Sequence, residues 1–535
     1  MKKIALKKAE KAILAAAVLL VIVIAAGSAW LLRPPAGSAP VNSASSTAEG
    51  LTEDSDHFPA NILFGERLPY TDFTDENGQA VSLDSYKGKT VILTFWASWC
   101  RYCKAQTENL SGLEDTLAAY DDVVYLLADK LDGKKETLQS AKDYATAHKL
   151  PWEILYDDGL SAYDAWGVKI VPTTIILDKN GVVKACYPGE IKSITELQAM
   201  LEYAIDGPAA ATEQFIATQL MGNDGGVHVN YTDKKGRSPI GYDVLSEAQG
   251  LMMEYAALSK NKPLFDTAFG FVKTRLINKK GLTAWLYSPA DGAAASNALI
   301  DDLRILRALK AADEQWGGYS KDTASLGDAI LRYNIDDGHL VDHYDIDTGK
   351  KAARLTLCYA DFEAIKLLGK EDTALYDKTL ALVEGGYISD TFPLYYNAYD
   401  FKEEAYDTGS INTAEGLYAL YHLAKIGRLK PQSIEWLREQ VKNGGIKARY
   451  NTDGTVTAGY NYHSTAVYAL LGLIAHTIGD KALLTEAITG MERYRINDAG
   501  NQLNGAFGNH SGSDISAFDE CMPLLLYGVM GAGNR

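Results

Sequence analysis

The chain contains two stretches with different patterns of apolar and polar positions, and the pattern changes near residue 207. In the first stretch, short apolar runs alternate with segments of helical period, which is typical of strands and helices in turn. The predicted elements are a strand VILTFWA (91–97), a helix from Arg101 to about Tyr120, a strand VVYLLAD (123–129), a helix ETLQSAKDYATAHKL (136–150), a hairpin with its turn at Lys179-Asn180-Gly181, and a helix from Ser193 to Ile205. This order predicts an α/β fold over residues 57–206, in which helices cover a mixed sheet.

From Ala211 onward the strand-like runs stop and helical periodicity dominates. The helical segments are SEAQGLMMEYAALSK, SNALIDDLRILRALKAADEQW, TASLGDAILRYNI, LCYADFEAIKLLGK, INTAEGLYALYHLAKIG, SIEWLREQVKN, STAVYALLGLIAHTIGD and AFDECMPLLLYGVM. Loops rich in Tyr, Asp and Gly, such as FPLYYNAYDFKEEAYDTGS, separate them. About a dozen helices in one run predict an all-α toroid of paired helices over residues 210–535. An irregular helical domain is the alternative.

The N-terminus carries a basic segment, MKKIALKKAEK, followed by an uncharged apolar run from Ala12 to Leu32. A run of about 20 apolar residues matches the thickness of a bilayer and exceeds the apolar core of a cleaved signal. The lysines before the run place the N-terminus in the cytoplasm. We therefore expect a transmembrane anchor within residues 1–33 and a flexible linker over 34–56. The bulk of the chain is then extracytoplasmic, attached to the cell membrane by one pass; a cleaved signal peptide is the alternative.

Length and charge narrow the function classes. A chain of 535 residues is long enough for several domains, so we expect a multidomain protein. The net charge of -17, with no long basic run, disfavours binding to nucleic acid or to an anionic polymer. The 32 tyrosines against 13 phenylalanines suit sugar contacts or any other wet groove.

The stretch FWASWCRYCK places two cysteines at the end of a predicted strand and the start of a predicted helix. Backbone N–H groups and the helix dipole stabilise a thiolate at this position, and Arg101 adds a cation beside it. Cys100 is therefore the predicted nucleophile and Cys103 the resolving thiol. A static disulfide and half of a zinc site are the alternatives, although the sequence has no second CxxC.

This segment resembles the membrane-anchored TlpA/ResA-type thiol-disulfide reductases, which have the thioredoxin fold. The resemblance rests on WCxxCK after a strand and on Val171-Pro172-Thr173 further along. It implies that Pro172 is a cis proline facing the dithiol and that the partners are thiol or disulfide proteins of the cell envelope. Members often carry a glutamate where this chain has Gln106. Cys186, on the predicted hairpin, is expected to be a packed thiol.

In the helical part, Glu247 is the first candidate for acid catalysis. Ser246 to Gln249 reads as a capping box, which would put Glu247 in the first turn of a helix, where an ionised carboxylate is favoured. A general acid must instead hold its proton near neutral pH, which requires burial or a neighbouring carboxylate. Asp302 is the candidate neighbour. Asp301 points about 100° away on the same helix, so only one of the two easily faces a shared cleft.

The segments SEAQGLMMEYAAL, GLTAWLY and ASNALIDDLRILRAL resemble glycoside hydrolase family 8, nearest to the branch associated with bacterial exopolysaccharide and cellulose systems. Later segments, RLTLCYADFEAI, SINTAEGLYALYHLA and NYHSTAVYALLGLIAHTIGD, agree. The resemblance implies an (α/α)6 barrel that hydrolyses β-1,4-linked polysaccharides with inversion. It also implies that Glu247 is the general acid, that Asp302 contacts and distorts the sugar, and that Trp285 stacks on a sugar face; a core position is the alternative for Trp285.

The general base is less evident. Where many family members have an aspartate, this chain has Asn412 in SINTAE, and an amide cannot accept a proton from water. Asp407 in the preceding loop is the predicted base, and Glu415, one turn into the helix, is the second candidate. The other possibility is that the base is lost and the barrel only binds glycan.

Three further expectations complete the sequence-based account. Cys358 and Cys521 lie in apolar helical surroundings and are expected to be free buried thiols, with a disulfide between them as the alternative. The histidines, including His463, show no ligand spacing, so no metal or other cofactor is expected. The chain is therefore predicted to be an anchored protein that combines a thiol-disulfide oxidoreductase with a glycoside hydrolase. A non-catalytic glycan-binding barrel, or two inert modules, are the alternatives.

Overall fold

The computed structural model describes residues 59, 61–120, 122–207, 209–232, 243–368, 373–498, 501–509 and 511–532. The predicted anchor and the predicted linker lie outside these residues. Within the described ranges, no helix is long and apolar enough to cross a membrane. From residue 59 onward, the described residues belong to one compact unit.

The first part of this unit is built on a seven-stranded sheet with the strand order β2-β1-β5-β4-β3-β6-β7. The strands are β1 (Asp72–Thr74), β2 (Ala80–Ser82), β3 (Thr90–Trp96), β4 (Val123–Asp129), β5 (Glu153–Tyr156), β6 (Thr173–Leu177) and β7 (Val183–Pro188). Strand β3, in the interior of the sheet, is buried along its whole length. It pairs parallel with β4 and antiparallel with β6. The sheet is therefore mixed, as the order of elements predicts.

Helices cover both faces of the sheet, and apolar clusters fill the space on each side. These helices are α1 (Arg101–Asn109), α2 (Leu113–Leu117), α3 (Leu138–His148), α4 (Ser161–Trp166) and α5 (Ile194–Asp206). The single helix predicted from Arg101 to Tyr120 is wrong, because Gly112 interrupts it with a φ of +88°. That backbone conformation favours glycine and ends the helical hydrogen bonding.

The second part contains twelve α-helices within the described residues. They are α6 (Ala210–Phe215), α7 (Ser246–Leu258), α8 (Lys262–Phe271), α9 (Leu299–Trp316), α10 (Ser320–Tyr333), α11 (Phe362–Leu368), α12 (Ala374–Gly385), α13 (Thr413–Lys425), α14 (Pro431–Lys442), α15 (Thr465–Ile478), α16 (Lys481–Glu492) and α17 (Ala517–Ala532). Two π-helical turns, Ile216–Leu220 and Val272–Leu276, extend α6 and α8. Short two- and three-residue strands brace the loops between helices.

The odd-numbered helices α7 to α17 form an inner ring, and the even-numbered helices pack outside it. Helix α7 packs on both α9 and α17, so the ring closes on itself. The inner helices are apolar nearly all round: every residue of α15 from Thr465 to Ala475 is buried. An all-round apolar helix is stable only when it is enclosed, which the outer ring provides. The arrangement is the predicted toroid of paired helices.

The two parts touch through helix α5 and the last helices of the barrel. The Tyr203 hydroxyl lies 3.3 Å from the Tyr527 hydroxyl, and the Arg495 guanidinium stacks 4.9 Å above the Tyr203 ring. Phe64 packs against the barrel core, and its N–H donates to Thr485 Oγ1 at 3.3 Å. The contact is therefore partly buried and includes specific hydrogen bonds.

Candidate active sites

The first candidate site is the dithiol at the junction of β3 and α1. Cys100 is the N-cap residue of α1, and its sulfur accepts a hydrogen bond from the Cys103 N–H at 3.2 Å. In its protonated form, the Cys100 thiol also donates to the Val171 carbonyl at 3.3 Å. The Val171–Pro172 peptide bond is cis. The fold thus brings the dithiol next to the Val171–Pro172 bond, which lies 71 residues beyond Cys100 in the sequence and which the resemblance placed at the same site.

The two thiols differ in acidity because their surroundings differ. The pKa of Cys100 is lowered to about 6, first by a hydrogen bond from the Cys103 side chain and then by the backbone N–H groups of Cys103 and Tyr102. Burial raises the pKa of Cys103 far above its usual range. At neutral pH Cys100 is therefore the thiolate and Cys103 the protonated thiol, which are the roles of a nucleophile and a resolving group.

Gln106 is fully enclosed behind the dithiol. Its side-chain amide donates to the Tyr125 hydroxyl at 3.3 Å and to Thr174 Oγ1 at 3.4 Å, and its oxygen accepts from the Ile191 N–H at 2.9 Å. An amide at this position holds helix α1 against the sheet but cannot exchange a proton with Cys103.

Two large aromatic side chains next to Cys100 are exposed. Trp99 and Tyr102, on either side of Cys100, are each 43% exposed. Large exposed aromatic side chains next to a reactive group are typical of a surface that binds another polypeptide.

The second candidate site lies at the N-terminal ends of the inner helices. Arg304 on α9 donates to the Tyr418 hydroxyl on α13 at 3.1 Å, and that hydroxyl lies 3.1 Å from Met522 Sδ on α17. A Cβ atom added to Gly250 on α7 would lie 3.0 Å from Arg304 Cδ. Because α9, α13 and α17 are not neighbours in the ring, these contacts cross the middle of the barrel. Gly250, Arg304, Tyr418 and Met522 therefore form one layer across its axis.

The residues three positions earlier on the same helices are all acidic: Glu247, Asp301, Glu415 and Asp519. Residues three apart on a helix share a face, so these four carboxyl groups form a second layer, one turn nearer the helix N-termini. We call this set the carboxylate layer. Asp301 is buried, whereas Glu247, Glu415 and Asp519 are half-buried, as expected for side chains that line the floor of a cleft.

Glu247 has the protonation state that acid catalysis requires. Burial raises its pKa to about 7, and the negative charge of Asp301 adds to this increase, while Arg304 opposes it. The charges of Asp519 and Glu415 raise it further. Glu247 therefore keeps its proton up to near neutral pH, despite its position in the first turn of α7.

The structure separates the two adjacent aspartates of α9. Asp301 accepts from Ser246 Oγ at 2.6 Å and from Arg304 Nη1 at 2.7 Å, which places it beside Glu247. Asp302, the predicted neighbour, is fully buried and accepts instead from the Thr283 N–H at 2.9 Å and from Asn297 Nδ2 at 2.7 Å. Asp301 rather than Asp302 is thus the carboxylate that shares the surroundings of Glu247.

The predicted capping box at Ser246 is wrong. Leu245 is the N-cap residue of α7 and makes no side-chain cap. The Ser246 hydroxyl is used by Asp301, and the Gln249 amide binds the Val227 N–H and the Gly225 carbonyl. Tertiary partners have replaced the local cap: Ser246 binds Asp301 on the neighbouring inner helix, whereas Gln249 binds the loop at Gly225–Val227 and Ala268 of the outer helix α8.

Trp285 and Asn412 lie close to the carboxylate layer. The Trp285 carbonyl accepts from the Ser246 N–H at 3.0 Å, so Trp285 is next to the start of α7, with a half-buried side chain. Asn412 is the N-cap residue of α13, where its side chain accepts from the Ala414 N–H at 3.0 Å. The Asn412 amide therefore serves the helix end three residues before Glu415.

The two predicted bases have different locations. Asp407 lies in an exposed loop, and its carboxylate accepts from the Gly409 N–H at 2.9 Å. Glu415 belongs to the carboxylate layer, and its charge raises the pKa of Glu247. Sequence reasoning did not consider Asp519, the fourth member of the layer. Ser516 and Asp519 form an S-x-x-D pattern before an apolar helix, which is a signal that could have pointed to it.

The remaining three thiols are free. Cys358 and Cys521 are free and buried, and Cys186 is free and half-buried on β7. Burial raises the pKa of each of these thiols well above its usual range. In the part of the chain that the structure describes, no group of three or more His, Cys, Asp or Glu side chains could hold a metal ion.

Comparison with known proteins gives one family match, which covers the dithiol. Residues 64–186 match the AhpC/TSA family. The thioredoxin-like protein YneN of Bacillus subtilis is 30% identical over 129 residues, which are 24% of this chain and 73% of that protein. The putative lipoprotein YdaJ of the same species is 27% identical over 357 residues, which are 64% of this chain and 91% of that protein.

A solved structure is similar to the helical part. It is described as a novel alpha-amylase from Clostridium perfringens, is 31% identical, and superposes with a TM-score of 0.55. The match covers 96% of that protein and 60% of this chain. The dithiol part is much shorter than 60% of the chain, so the match must include the helical part. The two resemblances predicted from the sequence, to thioredoxin-like oxidoreductases and to glycoside hydrolases, are confirmed. The prediction that the chain is an enzyme of both kinds is confirmed with them.

Proposed function

Because the chain belongs to the thioredoxin-like protein family in its first part and to the family of the Clostridium perfringens alpha-amylase in its second, we propose that it reduces disulfides and cleaves a polysaccharide outside the cytoplasm. Each activity uses its own site. The observation that carries the hydrolase proposal is the carboxylate layer, in which Glu247 has a pKa of about 7 beside three other acidic groups.

The proposed hydrolytic step begins at Glu247. Its carboxyl group donates a proton to the glycosidic oxygen while a second carboxylate removes a proton from the attacking water. A cleft floor with several half-buried carboxylates can place these two groups on opposite sides of the cleaved bond. Trp285, beside the start of α7, provides an aromatic face for a sugar ring.

For the substrate, we propose a neutral or partly deacetylated β-1,4-linked polysaccharide, such as an exported exopolysaccharide, cleaved with inversion. The sequence resemblance favours this linkage, and the net charge of -17 disfavours an anionic polymer. An α-linked glucan is the second candidate, because the 31% identical relative is described as an alpha-amylase.

For the dithiol, we propose transfer of electrons to disulfides of envelope proteins. The Cys100 thiolate attacks a partner disulfide, one sulfur of which leaves as a thiol, and a mixed disulfide forms. Cys103 then attacks Cys100 and releases the reduced partner, leaving a Cys100–Cys103 disulfide. The exposed Trp99 and Tyr102 provide the surface on which the partner polypeptide docks.

We further propose that residues 12–32 anchor the chain in the cell membrane, so that both sites face the outside. The apolar run and the lysines before it support this location. Fractionation of cells that express the full chain checks it: the protein should remain with membranes after a high-salt wash.

The hydrolase proposal is tested with the full chain on β-1,4-glucan, partly deacetylated β-1,4-linked glycan, and soluble starch, with reducing ends counted over time. Wild type should release reducing ends from one of these, and Glu247→Gln should lose at least about 100-fold in rate. If wild type binds a glycan but releases no reducing ends, the barrel is a glycan-binding module instead.

The reductase proposal is tested by reduction of insulin disulfides, which Cys100→Ser should abolish.

A further inference from the structure

The proposed hydrolysis needs a base, and the structure offers one that the sequence pattern did not indicate. We propose that Asp519 is the general base of this reaction and that the Tyr462 hydroxyl positions the water that Asp519 activates. This inference rests on the proposed function. It names the residues that remove the proton, whereas the family resemblance pointed to the loop before α13.

The positions that the resemblance offers for a base are poorly suited to the role. Asn412 is an amide that caps α13, so it cannot accept a proton. Asp407 is exposed, and its carboxylate binds an N–H of its own loop. Asp407 lies before α13, which begins at Thr413, so it is not on an inner helix and does not belong to the carboxylate layer. A base must lie in the same cleft as the acid, on the other side of the sugar.

Asp519 satisfies this requirement through its place in the fold. It lies in the first turn of α17, which packs directly against α7, and Glu247 lies in the first turn of α7. Their helical partners one turn later, Met522 and Gly250, belong to the same cross-barrel layer with Arg304 and Tyr418. The two carboxyl groups therefore face the same end of the barrel from neighbouring helices.

Asp519 is also held in one orientation by three hydrogen-bond donors. Its Oδ1 accepts from Ser464 Oγ at 2.9 Å and from the Ala466 N–H at 3.0 Å, and its Oδ2 accepts from Ser516 Oγ at 2.9 Å. These three donors stabilise the charged carboxylate. They leave Oδ2 with room for one further hydrogen bond, which is where a water molecule would bind. Burial raises the pKa of Asp519 against these donors, which makes it a stronger base than an exposed aspartate.

A hydroxyl group without a partner supports a ligand position beside Asp519. Among the described residues, the Tyr462 hydroxyl is buried and makes no hydrogen bond. Tyr462 lies two residues before Ser464, whose hydroxyl donates to Asp519 Oδ1 at 2.9 Å, so this segment runs beside Asp519. Burial raises the pKa of Tyr462 to about 12; the charges of Tyr460 and Asp519 add to the increase and Arg449 opposes it. A buried hydroxyl normally has a partner, and a water or sugar hydroxyl between Tyr462 and Asp519 would supply it.

Hydrolysis replaces the glycosidic bond with a bond to the water oxygen. The water oxygen forms a bond to the anomeric carbon, and one proton of that water passes to Asp519. The bond from the anomeric carbon to the glycosidic oxygen breaks, and that oxygen takes the proton of Glu247. The products are a new reducing end of inverted configuration and a shortened chain with a free hydroxyl. Asp519 then loses its proton to solvent, and Glu247 regains one.

The test uses two substrates with the full chain: a polysaccharide that wild type cleaves, and the matching disaccharyl fluoride, which is β-cellobiosyl fluoride or α-maltosyl fluoride. Fluoride leaves without an acid, but its departure still requires an activated water. Glu247→Gln should therefore lose at least about 100-fold on the polysaccharide and keep most of its rate on the fluoride. Asp519→Asn should lose at least about 100-fold on both substrates. Asp407→Asn tests the position that the family resemblance indicated, and the double loss in this variant instead of in Asp519→Asn would overturn the assignment.

The outcomes separate this inference from the proposed function. If wild type hydrolyses both substrates and Asp519→Asn hydrolyses the fluoride within about threefold of wild type, the assignment of the base is wrong and the hydrolase remains. If Glu415→Gln shows the double loss instead of Asp519→Asn, Glu415 is the base. If wild type hydrolyses neither substrate, the proposed hydrolase and this assignment both fall.

A second variant excludes misfolding as the cause of a loss. In Asp519→Ala, azide added to the assay can occupy the space of the carboxylate and attack the anomeric carbon. Formation of a glycosyl azide of inverted configuration from the fluoride, with release of fluoride, would show that the acid side of the site is intact. Absence of rescue in a variant that melts at the wild-type temperature would contradict the assignment.

Tyr462→Phe should lower kcat about tenfold with little change in KM, since it affects the water and not the glycan.

Discussion

At the scale of single residues, the carboxylate layer is controlled by what each acidic group touches. Asp301 and Asp302 are adjacent in the chain, yet Asp301 binds Arg304 and Ser246 beside Glu247, whereas Asp302 binds Thr283 and Asn297. Asp301 is therefore the neighbour whose negative charge makes it harder for Glu247 to ionise. Arg304 limits this effect, since its positive charge acts on both carboxyl groups.

The pH dependence of hydrolysis follows from this arrangement. Glu247 acts in its protonated form, and its pKa is raised to about 7, so kcat/KM should fall as the pH rises through about 7. Asp301→Asn removes a charge that raises this pKa, so the falling limb should move to lower pH. Asp302→Asn is the matched control, and its falling limb should stay near pH 7 whatever its effect on rate. The measurement is kcat/KM across pH; equal shifts in both variants would contradict the account.

The dithiol gives a second prediction at this scale. The alkylation rate of Cys100 should rise with a midpoint near pH 6, because the thiolate is the reactive form. Cys103→Ala removes the side-chain hydrogen bond that contributes most to the lowered pKa, so its midpoint should move up towards about 8.5. Cys103→Ser keeps a donor and should shift less. Iodoacetamide labelling of the full chain, read by mass spectrometry, measures this. A midpoint unchanged in Cys103→Ala would count against the proposed hydrogen bond.

How much of the site could be predicted differs between the two halves. Cys100 and Cys103 follow from a local motif at a strand–helix junction, which tertiary packing does not alter, whereas Pro172 was implied by the family resemblance. The choice between Asp301 and Asp302 depends on how α9 is rotated about its axis, and that rotation is fixed by packing against α7. Asp519 comes from the last helix of the chain, and only ring closure brings it to Glu247.

At the scale of elements, helix packing in the barrel depends on small residues at close contacts. Gly490 on the outer helix α16 faces the inner helix α15, and a Cβ added to it would lie 2.5 Å from the Tyr468 ring. Gly270, in the outer helix α8, has open space at the same position. Alanine substitutions at these two glycines therefore separate the effect of a steric clash from the effect of replacing glycine in a helix.

We predict that Gly490→Ala destabilises the barrel by about 1–3 kcal/mol, because the Tyr468 ring is buried and rigid and must move. Gly270→Ala should leave stability unchanged or raise it by up to about 1 kcal/mol, since alanine favours a helix over glycine. Chemical denaturation followed by far-UV ellipticity gives both values. A Gly490→Ala variant as stable as Gly270→Ala would show that α15 and α16 are not packed this closely.

The elements that the sequence predicted best are the buried ones. Strand β3 and the inner helices α7, α9, α13, α15 and α17 all have long apolar runs, and each was predicted close to its observed range. The outer helices α6, α8, α12 and α16 were not predicted, because their exposed faces interrupt the apolar pattern. The break between α1 and α2 was also missed, since one glycine at positive φ outweighs the helical period around it.

At the scale of the whole molecule, the two parts share a polar contact that one arginine organises. Arg495 is buried, donates to Thr212 Oγ1 at 2.7 Å and to Glu492 Oε2 at 2.6 Å, and stacks on Tyr203 of helix α5. A buried cation with this many partners is costly to remove, because its ion-pair partner remains behind. The contact should therefore make the two parts unfold together.

Arg495→Leu is expected to lower the free energy of unfolding by about 3–5 kcal/mol and to separate the unfolding of the two parts. Arg438→Leu, which breaks a half-exposed pair with Asp480, should cost at most about 1 kcal/mol. Pulsed alkylation along a denaturant series measures when Cys186, in the first part, and Cys521, in the second part, become exposed by unfolding. In wild type both should become reactive over one range. Separate denaturant ranges for the two cysteines in Arg438→Leu would contradict this role of the contact. A single shared range in Arg495→Leu would contradict it as well.

The central claim is that one chain holds two separate active sites, and crossing one variant of each site tests it most directly. The full chain is assayed for release of reducing ends from the glycan panel and for insulin reduction, as wild type, Glu247→Gln and Cys100→Ser. The account predicts that Glu247→Gln loses glycan cleavage but reduces insulin at the wild-type rate, and that Cys100→Ser does the reverse. Glycan cleavage that survives in Glu247→Gln, or that is lost in Cys100→Ser, would contradict it.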